Sequence, residues 1–213
     1  MTGTSETVVT LHRSVSWERA CHTVGGRPRC GATDTAESQD RSTGKKTGVG
    51  AMELRQAAAA EPDVRDFLQP RGSAVVARRG ELVDVLARPA VVAIDAGAVA
   101  GVLTYDVVDD SCELLALHTA RQWSGIGSAM VIMVARLAAA AGCRHYWVLT
   151  TNDNVDALRF YQRRGFRLTA LRCGAVDQAR LTLKPQIPVT GDYGIPIRDE
   201  IELAQDLPLP TTI

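Results

Sequence analysis

The sequence predicts a mixed α/β (α+β) fold, in which a mostly antiparallel sheet contains one parallel step and carries helices on its faces. Three observations lead there. Short, β-branched apolar runs follow one another between Asp- and Gly-containing turns from about residue 90 to residue 119, the pattern of strands joined by hairpins. A mostly apolar stretch, "GIGSAMVIMVARLAAAAG", then separates the last of these runs from another strand-like run, "HYWVLTT". Strand, helix, strand closes a parallel pair. A second helical stretch, "NVDALRFYQRRGF", follows shortly after.

Residues 1 to about 50 are rich in Ser, Thr, Gly and charge, as in "ATDTAESQDRSTGKKTGVGAME". They lack the apolar periodicity that would offset the entropy of ordering them, so this extension is expected to be disordered. "GKKTGVG" resembles a phosphate loop only in part: that pattern needs a glycine five residues before Gly-Lys-Ser/Thr and a following helix. A solvated tail is the better reading. Met52 directly precedes the first patterned segment and is a candidate true start, which leaves one domain over residues 52–213.

From Met52, "MELRQAA" reads as a short strand. "EPDVRDFLQP" and "GELVDVLARP" read as helical pieces, interrupted by Pro70 and Gly72 and stopped by Pro89. "AVVAIDAG" and "AVAGVLTYDVV" flank a turn at Asp95-Ala96-Gly97, and "CELLALHT" follows Asp109-Asp110-Ser111. The next helix is closed by Gly142, and the β-branched, aromatic strand after it reads as buried on both faces. Asn154 suits the N-cap of the second helix and Gly165 its left-handed C-terminal residue. "RLTAL" and, after a Pro- and Gly-punctuated stretch, "DEIEL" supply late strands. No internal repeat is visible.

Composition narrows the function. Lys plus Arg and Asp plus Glu both number 24, so no net field draws the chain to nucleic acid or to an anionic membrane. The longest apolar run, Ala129 to Ala141, is broken by Arg136 and is too short to span a bilayer. Cys21, Cys30, Cys112, Cys143 and Cys173 are odd in number and contain no C-x-x-C pair, which disfavours a disulfide framework or a zinc site. A protein of the reducing cytoplasm is expected, with no metal.

The chemistry concentrates in "RQWSGIGSAM", residues 121–130. Bare amides at a helix start form a concave set of N–H donors backed by the helix dipole, suited to phosphate or pyrophosphate. Gly125 and Gly127 let a ligand approach the backbone, and Ser124 and Ser128 offer hydroxyls. A dinucleotide fingerprint would place glycine where Met130 stands, and Asp153 is too far along to be its ribose acid. A tight strand-to-helix turn that binds nothing is the structural alternative.

Two motifs weigh against that alternative. "LALHTARQWSGIGSAM" followed by "TTNDNVDALRFYQRRGF" resembles the GNAT superfamily of acetyl-CoA-dependent N-acyltransferases. The family's Gln/Arg-x-x-Gly-x-Gly/Ala loop is matched by Gln122, Gly125 and Gly127. Its helix motif is matched by Asn154, Ala157, Tyr161, Gly165 and Phe166. The stretch "GDYGIPIRDEIEL" also looks like a subgroup of bacterial members.

The resemblance implies a central parallel strand pair that splays apart, with acetyl-CoA as co-substrate and its pyrophosphate on the loop from Gln122 through Trp123, Ser124, Gly125, Ile126 and Gly127 to Ser128. The backbone of Leu115, Ala116 and Leu117 would hold pantetheine and the thioester oxygen, while their side chains serve the core. Trp123 departs from the small or basic residue common at its place and is read either as a shield for the cofactor or as a surface residue.

Acyl transfer from a thioester needs a neutral amine, a site for the oxyanion and a proton for the thiolate. Tyr161, two helical turns after Asn154 and on its face, is expected to supply that proton, with a core tyrosine as the alternative. Asn154 is read as an N-cap, a cofactor contact, or both. Glu113, by period two on the face of Leu115 and Leu117, is the candidate base, with a surface glutamate as the alternative. Cys112 would then face the other side and be core. His118 and His145 show no partner spacing that supports catalysis. Asp199, Glu200 and Glu202 read as a solvated strand edge rather than an amine site.

The expected activity is direct acetyl transfer to an amine, small-molecule or peptide, with a homodimer through the C-terminal strands as a further expectation. A module of this fold that binds acyl-CoA without turnover is the second reading.

Overall fold

The computed structural model describes residues 9–11 and 52–209. Val9–Leu11, expected to be disordered with the rest of the extension, form a strand, and the expectations for the remaining residues up to 51, the "GKKTGVG" loop included, fall outside the described residues. The outer strands are β1 (Val9–Leu11) and β2 (Met52–Ala58). Helix α1 (Pro62–Leu68) begins on a proline, whose missing N–H is harmless in a first turn, and buries Val64 and Leu68. A 3-10 turn over Gln69–Arg71 ends at Gly72, φ 68°.

Next the structure departs from expectation. "GELVDVLARP" is not helical. Its first part forms β4 (Glu81–Asp84), hairpin partner of β3 (Val75–Arg78). Arg79 and Gly80 turn the chain with φ of 47° and 79°, two left-handed residues in succession whose twist matches a hairpin. Val83 is buried and Leu82 is half exposed, the two-residue alternation of a strand.

The hairpins expected downstream are present. β5 (Pro89–Asp95), β6 (Ala98–Val108) and β7 (Ser111–Thr119) pair antiparallel in sequence order. Helix α2 (Ile126–Ala140) leads to β8 (His145–Thr151), which runs parallel to β7 over Ser111–Leu114 and His145–Val148. Helix α3 (Val155–Gln162), β9 (Arg167–Arg172), an unanticipated helix α4 (Ala175–Thr182) and β10 (Glu200–Asp206) complete the order. The eight-stranded sheet reads β1-β2-β5-β6-β7-β8-β10-β9.

One core lies between the sheet and helices α2 and α3, with Leu103, Leu114, Met130, Val134 and Tyr146 at its centre. The other packs α1 on the opposite face through Val64, Leu68, Val92 and Val102. Tyr146 ties α2 to the sheet by donating to the Val131 carbonyl at 2.9 Å. Cys112 faces the first core and is fully buried, as expected.

β10 lies inside the sheet, between β8 and β9, so its acidic residues are not a solvated edge. Glu200 and Glu202 are 4% and 8% exposed. Glu202 is paired by Arg79 and by Arg172, the latter at 2.8 Å. Glu200 accepts from the Arg79 amide at 3.1 Å, and Asp199 accepts from the Gly174 amide at 2.7 Å. Burial alone would raise the Glu202 carboxyl, but the hydrogen bonds from Arg79 and Arg172 outweigh it and hold it below the usual range.

Candidate active site

Pairing between β7 and β8 stops at Leu114 and Val148. Beyond that point β7 stays with β6 and β8 stays with β10, so the two central strands diverge. The β8-facing backbone edge of β7 is left without a strand partner from Leu115 onward. A bulge falls at the same place: Thr104 pairs with Ala116 and Tyr105 with Leu114, so Leu115 is the extra residue.

The bulge reverses the side-chain alternation. Cys112, Leu114 and Leu117 face α2, whereas Leu115 and Ala116 face the α1 side. Period two counted straight through the strand therefore fails, and Glu113 does not share a face with Leu117.

A groove of about 2140 Å³ opens along this divergence. It exceeds the ~300–1,000 Å³ usual for a site that holds one drug-sized ligand, which leaves room for an extended cofactor and a second substrate. One end is the loop after β7. Gly125 adopts φ 84° as the N-cap of α2, and the first backbone hydrogen bond into the helix is Ala129 N–H to the Gly125 carbonyl, 3.1 Å. The amides of Ile126, Gly127 and Ser128 thus head the helix unpaired by it, and no side chain among the described residues caps them. A side chain on Gly125 would meet open space, whereas one on Gly127 would press on the Phe160 ring at 3.3 Å.

Leu115, Ala116, Leu117, Gln122, Trp123, Ser124, Gly125, Gly127, Ser128 and Asn154 all border the groove, and Ile126 instead buries its side chain in the core. Several of the polar side chains have work within the chain. Ser124 Oγ donates to the Arg121 carbonyl at 2.9 Å, and Ser128 Oγ accepts from Arg164 Nε at 3.1 Å. The Asn154 side chain accepts from the Ala157 amide at 3.0 Å, the N-cap expected. Trp123 is 67% exposed with φ 60°, and the Arg159 guanidinium sits 4.9 Å from its ring centre.

Tyr161 also borders the groove. Its ring packs edge-on against Phe160 and Phe166, with centroids 5.0 and 5.3 Å away. The residue is buried, and its hydroxyl makes no hydrogen bond among the described residues. Burial raises its pKa well above the ordinary 10.0, against the lowering by Arg164. The phenol therefore keeps its proton at neutral pH, the form a general acid needs.

Glu113 is placed elsewhere. It is 5% exposed, pairs with Arg78 Nη2 at 2.8 Å beneath the β3–β4 hairpin, and does not border the groove. Burial pushes its carboxyl up to about 7, partly offset by Arg78 and Arg79. The Arg79 guanidinium covers the neighbouring Trp147 ring, 3.9 Å from its centre. This polar cluster holds the hairpin to the sheet, and neither Arg78 nor Arg79 carries a sequence signal for that role. Burial pushes the Cys112 thiol up to about 12, which leaves it inert near neutral pH.

His118 is the groove residue whose partner the sequence spacing does not reveal. Its Nε2 lies 2.6 Å from Ser73 Oγ, and both residues border the groove. Among the described residues, no group of three or more His, Cys, Asp or Glu side chains is placed to hold a metal ion, and no helix is long and apolar enough to cross a membrane.

Comparison with known proteins agrees with this geometry. Residues 57–166, more than half of the chain, match the Acetyltransferase (GNAT) family. The uncharacterized protein YxbD of Bacillus subtilis (strain 168) is 39% identical over 113 residues, which are 53% of this chain and 70% of that protein. A GNAT family acetyltransferase from Elizabethkingia anophelis, solved with acetyl-CoA bound, superposes with TM-score 0.54 at 19% identity, over 73% of this chain and 98% of that one. An IAA acetyltransferase from Bacillus cereus ATCC 14579 superposes with TM-score 0.52 at 20% identity, over 73% and 99% of the two chains. With diverging central strands, a strand bulge and a glycine loop at a helix start, and with this family match, the chain belongs to the GNAT acetyltransferase family.

Proposed function

We propose that this chain is an N-acetyltransferase that moves the acetyl group of acetyl-CoA directly to an amine. The observation that carries the reading is the divergence of β7 from β8 at Leu114, which leaves free backbone beside a glycine-rich helix start without a side-chain cap. Free strand amides suit the pantetheine amides and the thioester oxygen. The unpaired amides of Ile126, Gly127 and Ser128, at the positive end of α2, suit the pyrophosphate. Acetyl-CoA bound to the Elizabethkingia protein is consistent with the same use of the fold.

In this mechanism the β7 amides stabilise the oxyanion that forms when nitrogen attacks the thioester carbon. The Tyr161 hydroxyl donates a proton to the departing thiolate. The transfer is direct, and Cys112, buried and protonated, does not serve as an acyl carrier. Glu113 is occupied by Arg78 and serves the hairpin. The proposal places the protein in the cytoplasm, acting on a small-molecule or peptide amine without a membrane or nucleic-acid partner, and a homodimer would use β9, the edge strand on the C-terminal side.

Isothermal titration of acetyl-CoA, with NADH as comparison, followed by a thiol-release assay over a panel of amines, tests the proposal. Micromolar acetyl-CoA binding with amine-dependent release of coenzyme A is expected. Binding without release for any amine favours a non-catalytic acyl-CoA module, and absence of binding removes both readings.

A further inference from the structure

On the α1 side of β7, the structure joins two groove residues that stand 45 positions apart in the chain, Ser73 and His118. Ser73 is 9% exposed and follows the left-handed Gly72 at the end of the turn after α1. Its hydroxyl also lies 3.3 Å from the Arg71 carbonyl, to which it can donate. With the hydroxyl proton on that carbonyl, His118 Nε2–H donates to Ser73 Oγ, and the ring lone pair is on Nδ1. Nδ1 has no hydrogen-bond partner among the described residues, and His118 borders the groove.

The surroundings keep this imidazole neutral. Burial, and then the Arg71 guanidinium, hold His118 below its ordinary 6.5. Arg71 is the charged group that bears on the ring, and its cross-strand neighbour on β6 is the apolar Val102. His118 directly follows Leu117, the last of the strand residues whose backbone is assigned to the cofactor, and it follows Ala116 by two, on the α1 face of the sheet. An imidazole lone pair thus lies beside the thioester strand, while Glu113, the carboxylate on the same strand, is tied to Arg78.

We propose that His118 is the base that takes the proton of the acceptor amine, and that Ser73 is the positioning residue that fixes its ring. The proposal rests on the acetyl-transfer reading above. An alkylammonium acceptor sheds two protons on acetylation. His118 Nδ1 takes one before the N–C bond forms, which frees the nitrogen lone pair for attack, and passes it to water after the product leaves. The other restores to Tyr161 the proton that its hydroxyl gives the coenzyme A thiolate as the C–S bond breaks.

The test measures kcat/KM of the full chain from about pH 5 to 9 for the best amine of the panel, in the parent, His118→Gln and Ser73→Ala. Acetyl-CoA affinity is measured for each by titration. His118→Gln should bind acetyl-CoA like the parent and lose about 10²-fold at neutral pH. Its acidic limb should move from below 6.5 up to the acceptor's own ionisation, so that the loss shrinks as pH rises. A purely structural role would not move that limb. Ser73→Ala should lower kcat by about tenfold with unchanged acetyl-CoA affinity. Parent-like kcat/KM and limb in His118→Gln overturn the proposal alone. Should that variant not fold, a parent-like kcat in Ser73→Ala overturns it. A parent that acetylates no amine overturns the acetyl-transfer reading and this proposal with it.

Discussion

Replacing Glu113 by Gln measures how strongly the cluster beneath the β3–β4 hairpin depends on charge. Burial raises this carboxyl from 4.5 to about 7 even with Arg78 and Arg79 beside it. In the unfolded chain it titrates near its ordinary value, so through that window the native state binds more protons than the unfolded one. Stability attributable to Glu113 therefore falls as pH rises from about 4.5 to about 7. At about 1.4 kcal/mol per pH unit, a rise of that size corresponds to about 3 kcal/mol. Because Glu113 is only 5% exposed, solvent screening leaves most of it intact.

Urea unfolding followed by circular dichroism, for parent and Glu113→Gln between about pH 5 and 8, isolates the effect, since all other groups cancel in the difference. The parent should lose about 2–3 kcal/mol relative to the variant as pH rises. A difference constant within about 0.5 kcal/mol would refute the reasoning. The same variant should retain turnover within about twofold, whereas a loss beyond about tenfold would return the base role to Glu113.

Three further outcomes follow from the geometry. Tyr161→Phe removes a hydroxyl with no hydrogen-bond partner among the described residues, so acetyl-CoA affinity by titration should hold while kcat falls by about 10²-fold; equal turnover would remove Tyr161 from the mechanism. Asn154→Ala deletes the cap on the Ala157 amide and should cost about 1 kcal/mol in urea unfolding, so a change under about 0.3 kcal/mol would contradict the cap. Gly191→Ala would drive a Cβ into the Asp153 carboxylate, displacing the group that accepts from the Asp192 amide at 3.2 Å. A loss of about 1–3 kcal/mol is expected, and parent-like stability would show that the loop yields without strain.

Elements whose signal is local were legible in the sequence. Asn154 caps α3 and Gly165 ends it with φ 90°, because a side-chain acceptor and a residue without Cβ meet needs set by their immediate neighbours. The strands β5 to β8, the parallel step and the glycine loop follow from turn residues and periodicity in the same way. The hairpin at Arg79-Gly80 escaped because its left-handed turn lacks the Asn or Asp that usually announces one, and neighbouring valines are compatible with either strand or helix. Helix α4, with no strong apolar stripe, gave no comparable signal.

Within the site, local chemistry decided the loop and the tyrosine helix, whereas only the tertiary structure decided which side chains meet. The bulge at Leu115 exists as a count of two residues against one on β6, so β7 alone could not reveal that Glu113 and Leu117 part company. Arg78 reaches Glu113, and Ser73 reaches His118, only after the hairpin and α1 have packed on the sheet. A sequence determines the conformations available to each short segment through sterics and hydrogen bonding a few residues away. Which distant groups then share a buried surface depends on the packing of whole faces, and that is what seated a carboxylate under an arginine and left an imidazole open to the groove.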